Sequence, residues 1–161
     1  MNTEPRAYTA ALSIGRVGFR LQGQALAHLY LPGEVPAGAP DAAQAPAADA
    51  ALAAAVVQQL AEYLAGERRL FTLPLALPPM TPFATRTMAA MLAIPYGETR
   101  YYAQLGAARA VGTVCARNPL PLIYPCHRVL PAAGGIGAYR GGTALKEFLL
   151  NLEKHSIPTI F

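Results

Sequence analysis

The run Asn118-Pro119-Leu120-Pro121-Leu122-Ile123-Tyr124-Pro125-Cys126-His127-Arg128-Val129 is apolar up to Tyr124 and then presents a thiol, an imidazole and a guanidinium in succession. Pro119, Pro121 and Pro125 push their preceding residues out of helical space, which predicts a fixed, extended path. A cysteine attacks as its thiolate and needs a base or a positive field to reach that state near neutral pH. Side chains alternate along an extended chain, so His127 is expected to reach Cys126 through a water rather than directly. Triad logic asks for a third group to orient the imidazole. Residues 83–161 hold three acids, Glu98, Glu147 and Glu153, and Glu153 on the last predicted helix is the best placed. An isolated cysteine is ordinarily a small buried hydrophobe, but the Pro-Cys-His-Arg succession argues for chemistry.

Two further stretches could serve such a centre. Gly106-Ala107-Ala108-Arg109-Ala110-Val111-Gly112-Thr113 makes a helix face of small side chains from which Arg109 projects. A short helix pair with a bare second helix resembles a helix-turn-helix used at a nucleic-acid groove; tight packing inside the protein is the alternative. Gly134-Gly135, Gly137 and Gly141-Gly142 surround Ala138-Tyr139-Arg140, a loop whose backbone can come near a flat ligand while Tyr139 supplies an aromatic wall. The other cysteine, Cys115, reads as an ordinary helix residue. There is no CxxC pair and the three histidines are scattered, whereas a structural zinc needs about four ligands at close spacing. No metal is expected, and the two thiols are expected to stay reduced.

The elements that must position these residues read as two kinds. Tyr8 to Ile14, Val17-Phe19-Leu21 and Leu26 to Leu31 suit strands joined at glycines 15, 18 and 23. Residues 32–48 read as a surface loop. Asp49 is the expected N-cap of a helix carrying Leu52, Val56, Leu60 and Leu64, with Gly66 at its end. Phe71, Leu73, Leu75 and Leu77 alternate, but Pro74 restricts that segment to an edge or linker. Prolines 74, 78, 79 and 82 mark a boundary. Beyond it, helices are expected over Phe83 to Ala93 (buried stripe Phe83, Met88, Met91, Leu92), near Tyr101 to Leu105, over Ala107 to Arg117, and over Thr143 to Lys154 with Leu145, Phe148, Leu149 and Leu152 inward.

The 161 residues are 53% apolar and 14% charged, which excludes a disordered chain. Apolar stretches such as Ala50 to Val57 fall short of the roughly 20 residues of a membrane span. Met1-Asn2-Thr3-Glu4-Pro5 has neither a basic flank nor an apolar run, so no signal peptide and a cytoplasmic location are expected. Residues 1–82 carry five Lys/Arg against six Asp/Glu, and residues 83–161 eight against three. A basic half beside a neutral half suits a polyanion-facing domain and its support.

Ile94-Pro95-Tyr96-Gly97-Glu98-Thr99, Arg109-Ala110-Val111-Gly112, Arg117-Asn118-Pro119, Ile123 to Val129, and Tyr139…Gly141-Gly142…Lys146 occur in that order. The set closely resembles the 6-O-alkylguanine-DNA alkyltransferases (methylated-DNA–protein-cysteine methyltransferases) over residues 83–155. The resemblance implies an α+β fold. An N-terminal antiparallel sheet with a helix, ribonuclease-H-like, would occupy residues 1–79, and a helical, winged helix-turn-helix-like domain that binds DNA and accepts the alkyl group would occupy residues 80–161. It implies a monomer without cofactor that acts once on double-stranded DNA carrying alkylated guanine, with no membrane contact. Whether thymine alkylated on oxygen 4 is also taken stays open. Glu153, His127 and a water would hold Cys126 as thiolate, Tyr102 would donate to the departing guanine, and Asn118 would support the bend. Arg109 would fill the gap in the base stack, with Ala107, Ala108, Ala110, Gly112, Arg117 and Arg128 also at the DNA. Pro121, Val129, Tyr139 and the Arg140 backbone would form the base pocket. The chain departs from the family's pattern in a shortened joint between Leu105 and Arg109, in Arg140 where many members have Ser, and in lacking the N-terminal zinc ligands of some members. A non-catalytic lesion sensor of the same fold and a turnover cysteine hydrolase are the competing readings.

Overall fold

A computed structural model describes residues 6–156 and Ile160. The expectation for residues 1–5 lies outside these. The described residues divide into two compact units, one reaching Pro78 and taking in Ile160, the other Pro79–Ser156.

In the first unit, β1 (Arg6–Leu12), β2 (Gly15–Gln22) and β3 (Ala25–Tyr30) form an antiparallel sheet in the order β1-β2-β3. Two-residue turns join them, pinned by the Leu12–Gly15 and Gln22–Ala25 pairs, with Gly23 at a left-handed φ of 60°. Gly18 is not a turn residue. It pairs with Thr9 and Tyr30 inside the sheet, where an added Cβ would stand 3.2 Å from Val35 and 3.3 Å from the Tyr8 carbonyl. The sheet's free edges are short of partners and are covered locally: Thr9 N donates to Pro40 O at 2.9 Å, and Leu26 N to Pro74 O at 2.8 Å. The second contact gives the Phe71–Leu77 segment the edge position that Pro74 predicts.

Helix α1 (Ala47–Leu64) begins earlier than its sequence suggests, with Pro46 at the cap position. Asp49 lies in the first turn instead of capping it. It is buried and accepts from Arg6 Nε at 2.6 Å and Nη2 at 2.8 Å and from the Tyr8 hydroxyl, so an acid that could have capped the helix ties it to β1. Phe19, Leu21, Leu26, Leu29, Val56, Leu60 and Tyr63 form the core of this unit.

The second unit comprises α2 (Pro82–Leu92), β4 (Arg100–Tyr101), α3 (Tyr102–Leu105), α4 (Ala108–Ala116), a 3₁₀ turn at Cys126–Arg128, β5 (Val129–Leu130) and α5 (Thr143–His155). Thr81 caps α2 by accepting from Ala84 N at 3.1 Å, and Pro82 occupies the first helical position, where its missing N–H costs nothing. Strands β4 and β5 pair in parallel through Arg100–Val129 and Tyr101–Leu130, bringing the segment before α3 beside the one that follows the cysteine. Two expected core residues face outward: Leu92 is 49% exposed and Phe148 42%. In α5 the inward positions are Lys146, Leu149 and Glu153. A stripe containing two charged side chains shifts the buried face by one residue, and Phe148 falls outside it. The expected domain 80–161 also loses its end, because Ile160 exchanges hydrogen bonds of 2.7 and 2.8 Å with Arg69 N and Glu67 O in the first unit.

Candidate active site

The residues around Cys126 do not run extended. Leu122 adopts a left-handed φ of 74°, and the chain turns back on itself between Asn118 and Tyr124. Asn118 organises that turn from within: its Nδ2 donates to Tyr124 O at 2.8 Å, and its Oδ1 accepts from Leu120 N at 2.9 Å. Prolines restrict φ and the residue before them, but they do not forbid one left-handed residue between two of them. Cys126 then opens the 3₁₀ turn, with Arg128 N donating to Pro125 O at 2.9 Å. Cys126, His127 and Arg128 are all buried.

Behind the cysteine lies an ion-paired cluster. His127 Nε2 is 2.7 Å from Glu153 Oε2, Arg128 Nε donates to Glu153 Oε1 at 2.7 Å and Nη2 to Oε2 at 3.0 Å, and Gly97 N donates to Oε1 at 3.2 Å. Burial pushes the Glu153 carboxyl up, but the hydrogen bonds and charges of His127 and Arg128 outweigh it and hold the group well below the usual carboxylate range. Burial dominates at His127 and lowers its pKa despite Glu153. The resting ring is therefore neutral; beside an ionised Glu153 its Nε2 carries the proton and donates it to the carboxylate, which leaves Nδ1 as the ring's basic nitrogen.

Cys126 lines a cavity of about 320 Å³ together with Tyr102, Gly112, Cys115, Ala116, Ala138, Tyr139 and Arg140. Burial raises the pKa of the Cys126 thiol, opposed by a hydrogen bond from Asn118 and by the charges of Arg140 and Lys146. Burial likewise raises the Tyr102 phenol, which keeps its proton and remains a donor. Lys146 is fully buried, with Nζ donating to Val129 O at 2.9 Å and Ala138 O at 3.3 Å and standing 5.8 Å from the Tyr102 ring centre. It fastens β5 and the glycine loop to α5. Lys146 belongs to the quoted motif, yet no role follows from its residue type alone, since a lysine on an amphipathic helix ordinarily points to water.

The expected site residues divide accordingly. Cys126, His127, Glu153, Asn118, Tyr102, Tyr139 and Arg140 gather around the cavity or directly behind it. Ala107, Ala108, Arg109 and Arg117 are exposed on and around α4, Ala110 is half-buried, and Gly112 borders the cavity with open space where a Cβ would sit. Three expectations need correction. Arg128 is not at a DNA-facing surface: it is buried on Glu153, with Nη1 donating to Ile94 O at 2.6 Å, because the buried carboxylate needs a cationic partner. Pro121 and Val129 are buried outside the cavity lining, one within the Asn118 turn and the other in β5. Cys115 is more than a helix filler. It lines the cavity, 3.6 Å from Met91 Sδ, and burial followed by the nearby Cys126 charge pushes its thiol up to about 12. Both cysteines are free. Among the described residues no group of three or more His, Cys, Asp or Glu is placed to hold a metal ion.

Residues 82–155 match the 6-O-methylguanine DNA methyltransferase DNA-binding domain. A Mycobacterium leprae methylated-DNA–protein-cysteine methyltransferase is 47% identical over 113 residues, covering 66% of this chain and 68% of the relative. The chain belongs to this family. A constitutive Bacillus subtilis relative of the same name is 47% identical over 107 residues, covering 62% of this chain and 64% of its own. The crystal structure of Mycobacterium tuberculosis OGT in complex with DNA superposes with a TM-score of 0.80 at 37% identity, covering 96% of each chain. The family's α+β fold is therefore that of this chain. A Pyrococcus kodakaraensis methyltransferase, 23% identical with a TM-score of 0.54, shares the fold.

Proposed function

We infer that this chain repairs DNA by direct reversal, moving an alkyl group from oxygen 6 of guanine to Cys126 once per molecule. The observation that carries the reading is the Cys126 thiol in the wall of a cavity, with the next residue, His127, buried and paired with Glu153. Family membership and the DNA complex of a 37% identical relative support it. The damaged base leaves the duplex for the cavity, which costs a few kcal/mol and least for a badly paired lesion. Arg109, exposed on α4, takes the vacated place in the stack. Ala107, Ala108 and Ala110 allow close approach of the helix, and Arg117 meets the phosphates.

The chemical step follows from the titration states. Neutral His127 takes the Cys126 proton through a water, and Glu153 stabilises the imidazolium that results. The thiolate pair forms the sulfur–carbon bond, the carbon–oxygen bond breaks with its pair on the guanine, and Tyr102 donates to the departing base. Asn118 keeps its carbonyl and amide on the turn that presents the sulfur. The product is a thioether, a poor leaving group, so the reaction ends with one turnover.

In this reading the second domain, residues 80–161, carries DNA binding and acceptance, and residues 1–79 support it. The protein works as a monomer, one molecule per lesion. A cytoplasmic location fits a thiol that must stay reduced, and among the described residues no helix is long and apolar enough to cross a membrane. Duplex DNA carrying methylated guanine tests the reading. Cys126→Ala should abolish methyl transfer and leave lesion binding largely intact, because the thiol does chemistry and little of the holding. Transfer that persisted in that variant, through Cys115, would overturn the assignment.

A further inference from the structure

Besides Tyr102, three stretches of chain wall the cavity: α4 with Gly112, Cys115 and Ala116, the turn that presents Cys126, and the glycine loop with Ala138, Tyr139 and Arg140. All three meet at the buried Asn118. Its N–H donates to Cys115 O at 3.3 Å at the end of α4, and its side chain bonds Tyr124 O and Leu120 N within the turn. Its carbonyl accepts from Arg140 Nη1 at 2.5 Å, a contact that spans 22 residues and has a charged donor. The loop that Arg140 belongs to is thinly packed at its tip: a Cβ added at Gly134 or Gly135 would meet nothing within 4 Å. Lys146 Nζ holds the loop's Ala138 carbonyl at 3.3 Å from α5, and Arg140 holds it from the turn. Tyr139 lies between these two fastenings, so they set its place in the cavity wall.

We propose that the Arg140 side chain is a positioning residue for alkyl transfer: by clasping the Asn118 carbonyl it fixes Tyr139 and the glycine loop against the turn that carries Cys126, so that the cavity stands formed before the base arrives. The inference rests on the alkyl-transfer reading of Cys126 and gives the side chain of residue 140 a part separate from that of its backbone. A base that must wait for the wall to assemble binds as though its affinity were reduced by the fraction of molecules in which the cavity is formed. A small reagent that attacks the sulfur without filling the cavity escapes that reduction. The latch therefore has a signature that neither the reactivity of the thiol nor a grip on DNA would produce.

Two rate constants measured on each protein test this: methylation of Cys126 by 6-O-methylguanine supplied as the free base, and alkylation of Cys126 by iodoacetamide. Their ratio cancels any change in the thiol itself, including the loss of the Arg140 charge. Arg140→Gln should lower the ratio about tenfold, the scale of one hydrogen bond from a charged donor. Arg140→Lys, which keeps a charged donor, should lie between that variant and the unaltered protein. Amide exchange over residues 138–142 should quicken in Arg140→Gln and stay as it is over α5. A ratio unchanged by Arg140→Gln overturns the proposal. That covers the case where both rates fall together because Arg140 acts on the thiol, and the case where only methylated duplex reacts more slowly because Arg140 grips the DNA backbone. Unchanged exchange over the loop overturns it as well. An unaltered protein that takes iodoacetamide but no methyl from either free base or duplex would instead strike the alkyl-transfer reading.

Discussion

Glu153 accepts from His127, Arg128 and Gly97 at once, so its charge and its shape can be separated by substitution. Glu153→Gln keeps the shape, removes the charge that stabilises protonated His127, and leaves the buried Arg128 guanidinium without its counterion. Breaking a buried pair from one side costs about 3–5 kcal/mol, so the variant should melt lower. Well below that temperature it should still alkylate more slowly while binding DNA almost as before. An unchanged single-turnover rate at saturating DNA would remove Glu153 from the mechanism. The charge of Lys146 also bears on Cys126, opposing the rise that burial imposes on the thiol. Lys146→Met should shift the pH dependence of Cys126 alkylation by iodoacetamide to higher pH. A profile that did not move would confine Lys146 to its two carbonyl contacts.

The helix-turn-helix joint depends on a glycine. Gly106 has φ 155° and ψ −162°, a region open in practice to glycine alone, and an added Cβ would meet the Phe83 ring at 3.1 Å. Gly106→Ala should therefore destabilise by about 1–3 kcal/mol, measured by urea unfolding; a stability within error of the parent would show that the joint yields freely. The shortened joint also lacks turn backbone that could reach phosphates. Inserting a longer turn before Ala107 should tighten non-specific DNA binding and steepen its salt slope by roughly 0.9 per phosphate gained. The alkylation rate at saturating DNA should stay put, and an unchanged slope would mean that the joint does not face DNA. Elements whose pattern is periodic and apolar, such as β2 and the body of α1, were legible in the sequence. What was not legible depended on charges going inward. Lys146 and Glu153 rotate the buried face of α5 away from Phe148, Asp49 serves β1 instead of a cap, and Arg128 serves Glu153 instead of a phosphate. The Cys126, His127 and Glu153 set was legible because few acids compete for the third place. The bend that presents it was not, because Leu122 gives no sign of its left-handed φ.

Across the molecule, the buried titrating groups set a direction for stability against pH. His127, Glu153 and Asp49 all have folded pKa values below their ordinary ones of 6.5, 4.5 and 3.8. As pH falls, the unfolded chain takes up these protons first, so stability is retained above the ordinary values and lost on acidification. The melting temperature should start to drop below about pH 6.5 and drop more steeply below about 4.5, following those unperturbed values; a flat profile down to about pH 4 would contradict the buried neutral His127. The basic excess of residues 83–161 should make DNA binding weaken with salt in the same unit that carries the chemistry. The most direct test of the whole account is the mass of the protein after incubation with excess duplex DNA carrying O6-methylguanine. One added methyl per molecule is expected, located on Cys126, with an equal amount of guanine restored and no further turnover. Restored guanine in excess of protein, or a methyl found on Cys115 or nowhere on the chain, would contradict it.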